Sequence, residues 1–295
     1  ALPVVADVDP VSQNLTEETL LAALTSRTRA VIAVHLAGWP CDMDPIMALA
    51  RKHGIKVIED CAQAHGATYK GRPVGSLGDC AAFSFCQDKI MTTGGEGGML
   101  VMNDHGRWEK AWAYKDHGKS YDAVFNREHP PGFRWLHESF GSNFRMTEMQ
   151  AAIGRRQLAK LPAWLARRRA NADFLATRLG EVRGLRIPRP GGDVAHACYK
   201  FYAFIEPDLL RSDWDQARII DAINREGIPC GSGSCSEIYR EKAFTSAGLA
   251  PPLPLPVAAR LGRTSLTFLV HPTLSTEAMA ATVVGVAKVM GQACI

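Results

Sequence analysis

The sequence predicts an α/β fold, in which a large domain carries a central, mostly parallel sheet and a smaller α+β domain follows it. Two observations lead to this prediction. In the first half, short apolar runs alternate with segments of helical periodicity, an order typical of parallel strands joined by crossover helices. After Gly184 the pattern changes to a mixture of strand-like and helix-like segments. A length of 295 residues is enough for one large domain with a smaller companion.

The elements of the large domain follow from the apolar pattern. Ala30–Val34 is an apolar run that predicts a strand, Met43–His53 has helical periodicity, and residues 55–60 predict the next strand. Further strands are predicted at residues 80–85 and 98–102, the second of which ends in a turn-forming Asn-Asp pair. A parallel sheet built from such runs has both faces covered.

A long helical pattern over residues 146–179 predicts a connection between the two domains. Thr147 is followed three residues later by Gln150, a spacing that predicts a capping box at the helix start. Pro162 lies inside the pattern and predicts a possible interruption, because proline lacks the amide hydrogen that the helix needs.

The second half predicts a smaller α+β domain. Its clearest elements are two strands and the helix between them, at residues 199–205, 265–270 and 214–226. We therefore divide the chain into a large domain, residues 1–170, and a small C-terminal domain, residues 171–295.

Composition excludes several classes of protein. The formal charge of +4 is small, and no basic stripe with interleaved aromatics is present, which argues against nucleic-acid binding. No apolar run approaches the roughly 20 residues of a membrane span, so a cytoplasmic protein is expected. The eight cysteines include no CxxC pair, which predicts reduced thiols, no disulfide framework and no metal site.

Two residues carry candidate chemistry. Asp60 ends a predicted strand, where ligands gather in open α/β sheets, but an aspartate there can also cap a helix beginning at residues 61–64. Lys89 follows another predicted strand and precedes a glycine-rich turn, so it could reach an aldehyde and form a Schiff base. The alternative for Lys89 is an ordinary surface lysine.

Four motifs in a fixed order support a catalytic role for Asp60 and Lys89. They are IEDCAQAHGA, GSLGDCAAFSF, Lys89 with GGEGG, and GSNFRMTEMQAAIG. Together they resemble the DegT-like (StrS-like) family of sugar aminotransferases, from about residue 7 to residue 271 and most closely over residues 59–154. The resemblance implies an aspartate-aminotransferase-like fold, that is, pyridoxal-phosphate fold type I.

The resemblance implies a role for each matching residue. Asp60 corresponds to the partner of the pyridine nitrogen, and Gln63 to a glutamine near the ring. Ser84 matches a phosphate-binding serine. Lys89 matches the lysine that holds the pyridoxal phosphate and then moves the proton of the reaction. Lys89 and Asp60 are therefore the predicted catalytic residues.

Asn143 resembles an asparagine that reaches the cofactor phosphate of the neighbouring subunit. This implies a homodimer with shared active sites. Asn143 and Arg145 could instead cap the following helix. Members of the family carry several dozen residues before the segment that resembles ALPVVADVDP, so the N-terminal part of the large domain is expected to be missing from this sequence.

Other polar residues have two interpretations each. The segment VHLAGWP resembles a family loop near the substrate, although its His35 could be a hydrogen-bonded core residue. Two further motif residues are interpreted as supporting ones, His65 and Glu96. Three residues of the small domain could line a sugar or nucleotide cavity or pack at the domain junction: His196, Tyr199 and His271.

The implied function is transfer of an amino group, from L-glutamate as donor, to a keto group of a nucleotide-linked sugar. The partners are thus small-molecule substrates, with no nucleic acid and no membrane. One alternative is a family member that forms cyclitol amines or aromatic amines. A second is a non-catalytic, truncated homologue with a regulatory or structural role.

Overall fold

The structure is a computed structural model that describes residues 1–295. Up to residue 125 the elements, in chain order, are α1 Glu17–Ala23, β1 Ala30–Val34, α2 Met43–His53, β2 Lys56–Asp60, β3 Thr68–Tyr69, β4 Arg72–Pro73, β5 Cys80–Ser84, β6 Gly98–Val101, α3 His105–Lys115 and α4 Tyr121–Phe125. The remaining elements are α5 Glu148–Leu179, β7 Leu185–Arg186, β8 Val194–Ala195, β9 Phe201–Ile205, α6 Gln216–Arg225, β10 Cys230–Gly231, α7 Lys242–Ser246, α8 Pro256–Gly262, β11 Ser265–Phe268 and α9 Thr276–Ala293. No helix combines the length and the apolar character that crossing a membrane requires.

The central sheet consists of β1, β2, β5 and β6, in that order across the sheet. β1 and β5 both pair with β2 in parallel, and β6 pairs with β5 antiparallel. Parallel neighbours need a crossover, and α2 supplies it between β1 and β2. The predicted α/β fold with a mostly parallel sheet is therefore confirmed.

One face of this sheet packs on α2. Val31 and Ala33 of β1 alternate with exposed residues and join a core that includes Ile46 and Leu49 of the helix. The helix ends at Gly54, whose φ of 65° lies in the left-handed region that glycine adopts without strain. That ending returns the chain directly to β2. The strand–helix–strand order of the sequence thus forms two parallel strands with the helix packed on one face of their sheet.

The helix α5 is longer than its proline suggested. The predicted capping box is confirmed, because Thr147 accepts from the backbone of Gln150 and Gln150 accepts from the backbone of Thr147. The interruption at Pro162 is wrong, since the helix runs through it. Packing compensates for the missing hydrogen bond, because two residues of the same helix, Leu165 and Leu175, belong to two different cores.

A second sheet lies after α5. It consists of β10, β11, β9 and β7 in that order, with antiparallel pairs throughout. Its core includes Ile219 of α6, Leu266 of β11 and Met290 of α9. Ala197 and Tyr199, although beyond residue 170, belong to the first core, and the division at that residue stays a prediction.

Candidate active site

Three polar residues end or follow neighbouring strands of the central sheet. His35 follows β1, Asp60 ends β2 and Ser84 ends β5. The backbone of His35 donates to the carbonyl of Asp60 at 3.1 Å, which extends the ladder beyond the strand ends. Because the strands are parallel, these residues share the carboxyl edge of the sheet, where open α/β folds bind their ligands.

Asp60 offers a carboxylate without a cation. Its Oδ1 accepts from the backbone of Ala62 at 3.0 Å, and no lysine, arginine or histidine lies within ion-pair distance. Residues 61–67 form turns, so the alternative that Asp60 caps a helix is wrong. The aspartate therefore shapes a turn with one oxygen and leaves the other free to meet a positively charged group.

Lys89 is not an ordinary surface lysine. Its side chain is only 16% exposed, and its Nζ lies 3.3 Å from Oδ1 of Asp88. The backbone of Lys89 donates to the carbonyl of Cys86 at 3.2 Å, so the lysine sits in a turn directly beyond β5. The following turn needs glycine: a Cβ on Gly97 would lie 2.2 Å from Oγ1 of Thr93. The alternative of a surface lysine is therefore wrong.

Gln63 and Ser84 offer donors at the same edge. Oε1 of Gln63 accepts from the backbone of Ala37 at 2.7 Å, which orients the side chain and leaves its amide hydrogens unbound. The hydroxyl of Ser84 accepts a long contact of 3.4 Å from the backbone of Cys86, and its own hydrogen is free to donate. Both side chains are partly buried. They can donate to oxygen atoms of a bound group.

The buried carboxylate of Glu59, next to Asp60, stabilises the carboxyl edge of the central sheet. Glu59 is completely buried, and its oxygens accept from the backbones of Gly75, Leu77 and Gly78 at 2.7–2.8 Å. A fourth donor is Nε2 of His35, at 3.0 Å. Sequence reasoning missed Glu59. The available signal was its position, because alternation along β2 places the neighbours of Asp60 on the opposite, buried side.

Of the two interpretations of His35, the structure supports the hydrogen-bonded core residue. Its Nδ1 accepts from the backbone of Cys41 at 3.0 Å, so the ring proton lies on Nε2 and is donated to Glu59. His35, Glu59 and Cys61 have their ligand atoms within 4.8 Å of one another, the spacing of a metal site. The hydrogen bonds already use both histidine nitrogens and both carboxylate oxygens, which gives this cluster a structural role.

Hydrogen bonds to Glu59 keep it charged. Burial by itself raises the pKa of this carboxyl, but the hydrogen bonds from His35, Gly75 and Gly78 outweigh burial and lower the pKa below its ordinary value. A satisfied buried carboxylate therefore ties the end of β1 to the turn before β5.

His65 is buried and has no partner for either ring nitrogen. Its ring packs against those of Phe83 and Phe85, at centroid distances of 5.5 and 5.8 Å. Burial, together with the nearby positive charges of Lys89 and Arg168, lowers the pKa of His65 to about 4. The imidazole is neutral near pH 7, so it supports the edge by packing, and it is no acid there.

Asn143 lies in an exposed segment away from these contacts. Its Oδ1 accepts from the backbone and Nε of Arg145, at 3.3 and 3.2 Å, and it forms an isolated bridge with Asp116. Neither residue caps α5, because Thr147 does so. Three of the most exposed aromatic side chains surround it in sequence, Trp135 at 85%, Phe140 at 100% and Phe144 at 66%.

The three candidate residues from the second half of the chain, His196, Tyr199 and His271, lie in different surroundings. The hydroxyl of Tyr199 donates to Asp88 at 2.6 Å, so this residue joins the site. His196 lies beside a cavity of about 320 Å³ that Trp39, Arg169 and Lys200 also line. The ring of His271 forms one hydrogen bond, between its Nδ1 and the hydroxyl of Thr273 at 2.7 Å, and its backbone carbonyl accepts from Asn171 of α5 at 3.3 Å.

Comparison with known proteins decides the family. The sequence model of the DegT/DnrJ/EryC1/StrS aminotransferase family matches residues 1–287. The chain belongs to this family. Its structure is similar to that of an aminotransferase from Psychrobacter cryohalolentis, with a TM-score of 0.97, 56% identity, and coverage of 99% of this chain and 76% of that one. The predicted aspartate-aminotransferase-like fold, pyridoxal-phosphate fold type I, is confirmed.

Two curated relatives in the DegT/DnrJ/EryC1/StrS family are named after amino sugars. GDP-perosamine synthase of Caulobacter vibrioides is 43% identical over 190 residues, which are 64% of this chain and 48% of the relative. The dTDP-3-amino-3,4,6-trideoxy-alpha-D-glucose transaminase of Streptomyces venezuelae is 35% identical over 271 residues, 90% of this chain and 65% of the relative. The chain thus spans about half the length of the first relative and about two thirds of the second.

The family cofactor, pyridoxal phosphate, fits the residues at the sheet edge. Asp60 has a free carboxylate oxygen and no cation, which suits a protonated ring nitrogen. Gln63 has unbound amide hydrogens for an oxygen on the ring. The mostly buried primary amine of Lys89 suits an aldehyde, to which a primary amine can bond covalently.

Proposed function

We propose that this protein is a pyridoxal-phosphate-dependent aminotransferase that forms an amino sugar. L-glutamate is the donor, and the acceptor is a keto group of a nucleotide-linked sugar. The observation that carries the proposal is the mostly buried amine of Lys89 beyond β5, at the sheet edge where Asp60 presents a carboxylate without a cation. An amine in such a place can bond to an aldehyde and can also carry a proton.

Each residue at the edge has a separate task in the proposal. When bound, the cofactor supplies an electron sink for the reacting carbon. Asp60 keeps a proton on the ring nitrogen, because a carboxylate stabilises a neighbouring cation. Gln63 and Ser84 donate to ring and phosphate oxygens. Lys89 anchors the cofactor and, once its amine is free, moves the proton at the substrate carbon.

The acceptor class is supported by the relatives and by charge. Both relatives carry names of amino sugars linked to a nucleotide. The cavity beside His196 is lined by the cations Arg169 and Lys200 and by the ring of Trp39. Cations and an aromatic ring together suit a group that carries phosphates and a base.

The experiment follows both half-reactions. We expect the protein with pyridoxal phosphate and glutamate to release one 2-oxoglutarate per active site and then stop. Adding a nucleotide-linked keto sugar should restore continuous release, with the keto oxygen replaced by an amino group in the product. Mass spectrometry measures both compounds.

The matched control is the same nucleotide sugar with a hydroxyl in place of the keto group, which should restore nothing. Absence of any 2-oxoglutarate would refute the glutamate donor. Absence of covalently held cofactor would refute the enzyme itself and favour the non-catalytic homologue.

We further propose that the active protein is a homodimer with shared sites. Monomers rarely expose large contiguous apolar patches, and Trp135, Phe140 and Phe144, in the segment that contains Asn143, leave most of their rings in solvent. A second copy that covers these rings would bring Asn143 close to the site of its neighbour. The geometry that supports this proposal is the absence of any contact from Asn143 to the edge residues of its own chain.

Mixing two inactive variants tests the shared site. We expect Asn143→Ala and Lys89→Met each to be impaired and their mixture, after subunit exchange, to recover about a quarter of the activity. The reason is that half of the dimers are mixed and each has one intact site. The rate of amino-sugar formation and the oligomeric mass, by light scattering, measure the result. An asparagine that serves its own subunit gives no recovery, and a monomeric wild-type protein contradicts the proposal outright.

A further inference from the structure

The carboxylate of Asp88 contacts three side chains. Its Oδ1 lies 3.3 Å from Nζ of Lys89 and accepts from the thiol of Cys86 at 3.1 Å, and its Oδ2 accepts from the hydroxyl of Tyr199 at 2.6 Å. Nζ of Lys89 also lies 5.4 Å from the centroid of the Tyr199 ring, within the range of a cation–π contact. Asp88, Lys89 and Tyr199 form a cluster in which the Asp88 side chain is 56% exposed, and we name this cluster the lysine clamp.

The backbone of Tyr199 is held from two sides. Its amide donates to the carbonyl of Ala37 at 2.9 Å. Nη1 of Arg168, a buried residue of α5, donates to the carbonyls of Cys198 and Tyr199 at 3.1 and 3.3 Å. Cys198 has a φ of 52°, a strained conformation for a residue with a side chain. The surrounding structure therefore imposes the position of the tyrosine.

The hydrogen bond between Tyr199 and Asp88 shifts the pKa values of these two residues in opposite directions. The hydrogen bond from Tyr199 is the largest cause that lowers the pKa of Asp88, to about 2, and Lys89 adds to it. Burial, and then the hydrogen bond to Asp88, raises the pKa of Tyr199 above its ordinary value. Near neutral pH Asp88 is thus an anion and Tyr199 is neutral. The hydroxyl of Tyr199 donates a hydrogen bond that stabilises the negative charge of the carboxylate.

Other charged groups around the amine come from separate segments. Nζ of Lys200 lies 5.7 Å from the centroid of the Tyr199 ring. Arg168 approaches from α5, and His65, with its pKa lowered to about 4 by burial first, is neutral near pH 7. Asp88 is therefore the only carboxylate that pairs with Lys89.

We propose that Asp88 and Tyr199 are positioning residues that set the reactivity of the Lys89 amine. Asp88 attracts the amine and holds it in place whenever it is not bonded to the cofactor. Tyr199 weakens that attraction by occupying the second carboxylate oxygen, which leaves the amine freer to attack an aldehyde. The inference rests on the proposed function only in taking Lys89 as the reacting amine.

The test measures the amine without the cofactor. Formaldehyde with cyanoborohydride methylates a neutral lysine amine: the imine forms with loss of water, and the reagent supplies the hydride that reduces it. The rate at Lys89 over a pH series, from peptide mass spectrometry, uses exposed Lys52 as an internal reference. We expect Asp88→Asn to speed labelling near neutral pH about threefold and Tyr199→Phe to slow it about threefold, with the pH midpoint moved in opposite directions.

Matched controls remove the same groups elsewhere. Tyr114→Phe and Asp208→Asn change exposed residues whose side chains make no hydrogen bond or ion pair, and should leave the profile unchanged. Asp88→Glu should restore most of the wild-type midpoint, because the charge returns. Equal midpoints in all variants, or a shift in the same direction for Asp88→Asn and Tyr199→Phe, would overturn the clamp, since simple loosening exposes the lysine in both.

Failure of the clamp is distinguishable from failure of the proposed function. If pyridoxal phosphate and borohydride still label Lys89 while the methylation profiles are identical, the clamp is wrong and the enzyme stands. If pyridoxal phosphate does not bond to Lys89, the function is wrong whatever the methylation profiles show.

Discussion

Replacing Lys89 with methionine is expected to lower the rate of amino-sugar formation by about 10³-fold or more. Methionine nearly matches the length of the lysine and suits a side chain that is only 16% exposed, so the fold should persist. It has no amine to bond to the cofactor or to carry the proton. The steady-state rate and the protein mass after borohydride reduction measure the two losses.

The matched control for this substitution is Lys52→Met, at an exposed position of α2. It should keep both the rate and the mass increase after reduction. Retention of the reduced cofactor in Lys89→Met, attached to another lysine, would show that the lysine has been assigned wrongly.

Glu59→Gln should destabilise the protein by about 3 kcal/mol or more. Four donors surround the two carboxylate oxygens. Glutamine keeps one acceptor oxygen and places an NH₂ group where the other oxygen was. Either the two donors to Oε1, the backbones of Leu77 and Gly78, or the two donors to Oε2, the backbone of Gly75 and Nε2 of His35, then lose their acceptor. Urea unfolding at pH 7 measures the difference in the free energy of unfolding.

The pH dependence of this difference has a definite sign. The folded pKa of Glu59 is lowered, because hydrogen bonds outweigh the opposing effect of burial. The stabilisation is therefore complete above the unfolded pKa, about 4.3, and is lost as pH falls through the folded pKa. The wild-type protein should approach Glu59→Gln in stability in acid and exceed it near neutrality.

Glu109→Gln is the matched control, since Glu109 is exposed on α3 and makes no ion pair. It should change the free energy of unfolding by less than about 0.5 kcal/mol. A loss below about 1 kcal/mol in Glu59→Gln would mean that the turn does not depend on the buried carboxylate.

Most elements could be predicted because their residues carry local signals. The alternating burial of β1 and β2, the capping box of Thr147 and Gln150, and the glycine that ends α2 are readable from neighbouring residues. The predicted interruption at Pro162 was wrong because the support for the helix comes from distant residues. A proline weakens a helix locally, but α5 packs into two cores, and that support is not written in the helix itself.

The site shows the same division. The motif order predicted Asp60, Gln63, Ser84 and Lys89 as site residues, and the parallel strands explain why residues ending β2 and β5 share one edge. The sequence could not choose between core and substrate roles for His35, because that choice depends on whether Glu59 lies 3.0 Å away. Hydrogen bonds between distant segments have no local signature.

The sequence by itself thus determined the α/β class, the family resemblance and the identity of the residues that meet at the sheet edge, because periodicity and ordered motifs are properties of neighbours along the chain. Only the tertiary structure decided that Glu59 and His35 lock the edge and that Tyr199, 111 residues beyond Asp88, completes the clamp around Lys89. Such pairs exist because packing of α5 and the loop after β1 brings separate segments together, and burial then makes each hydrogen bond matter.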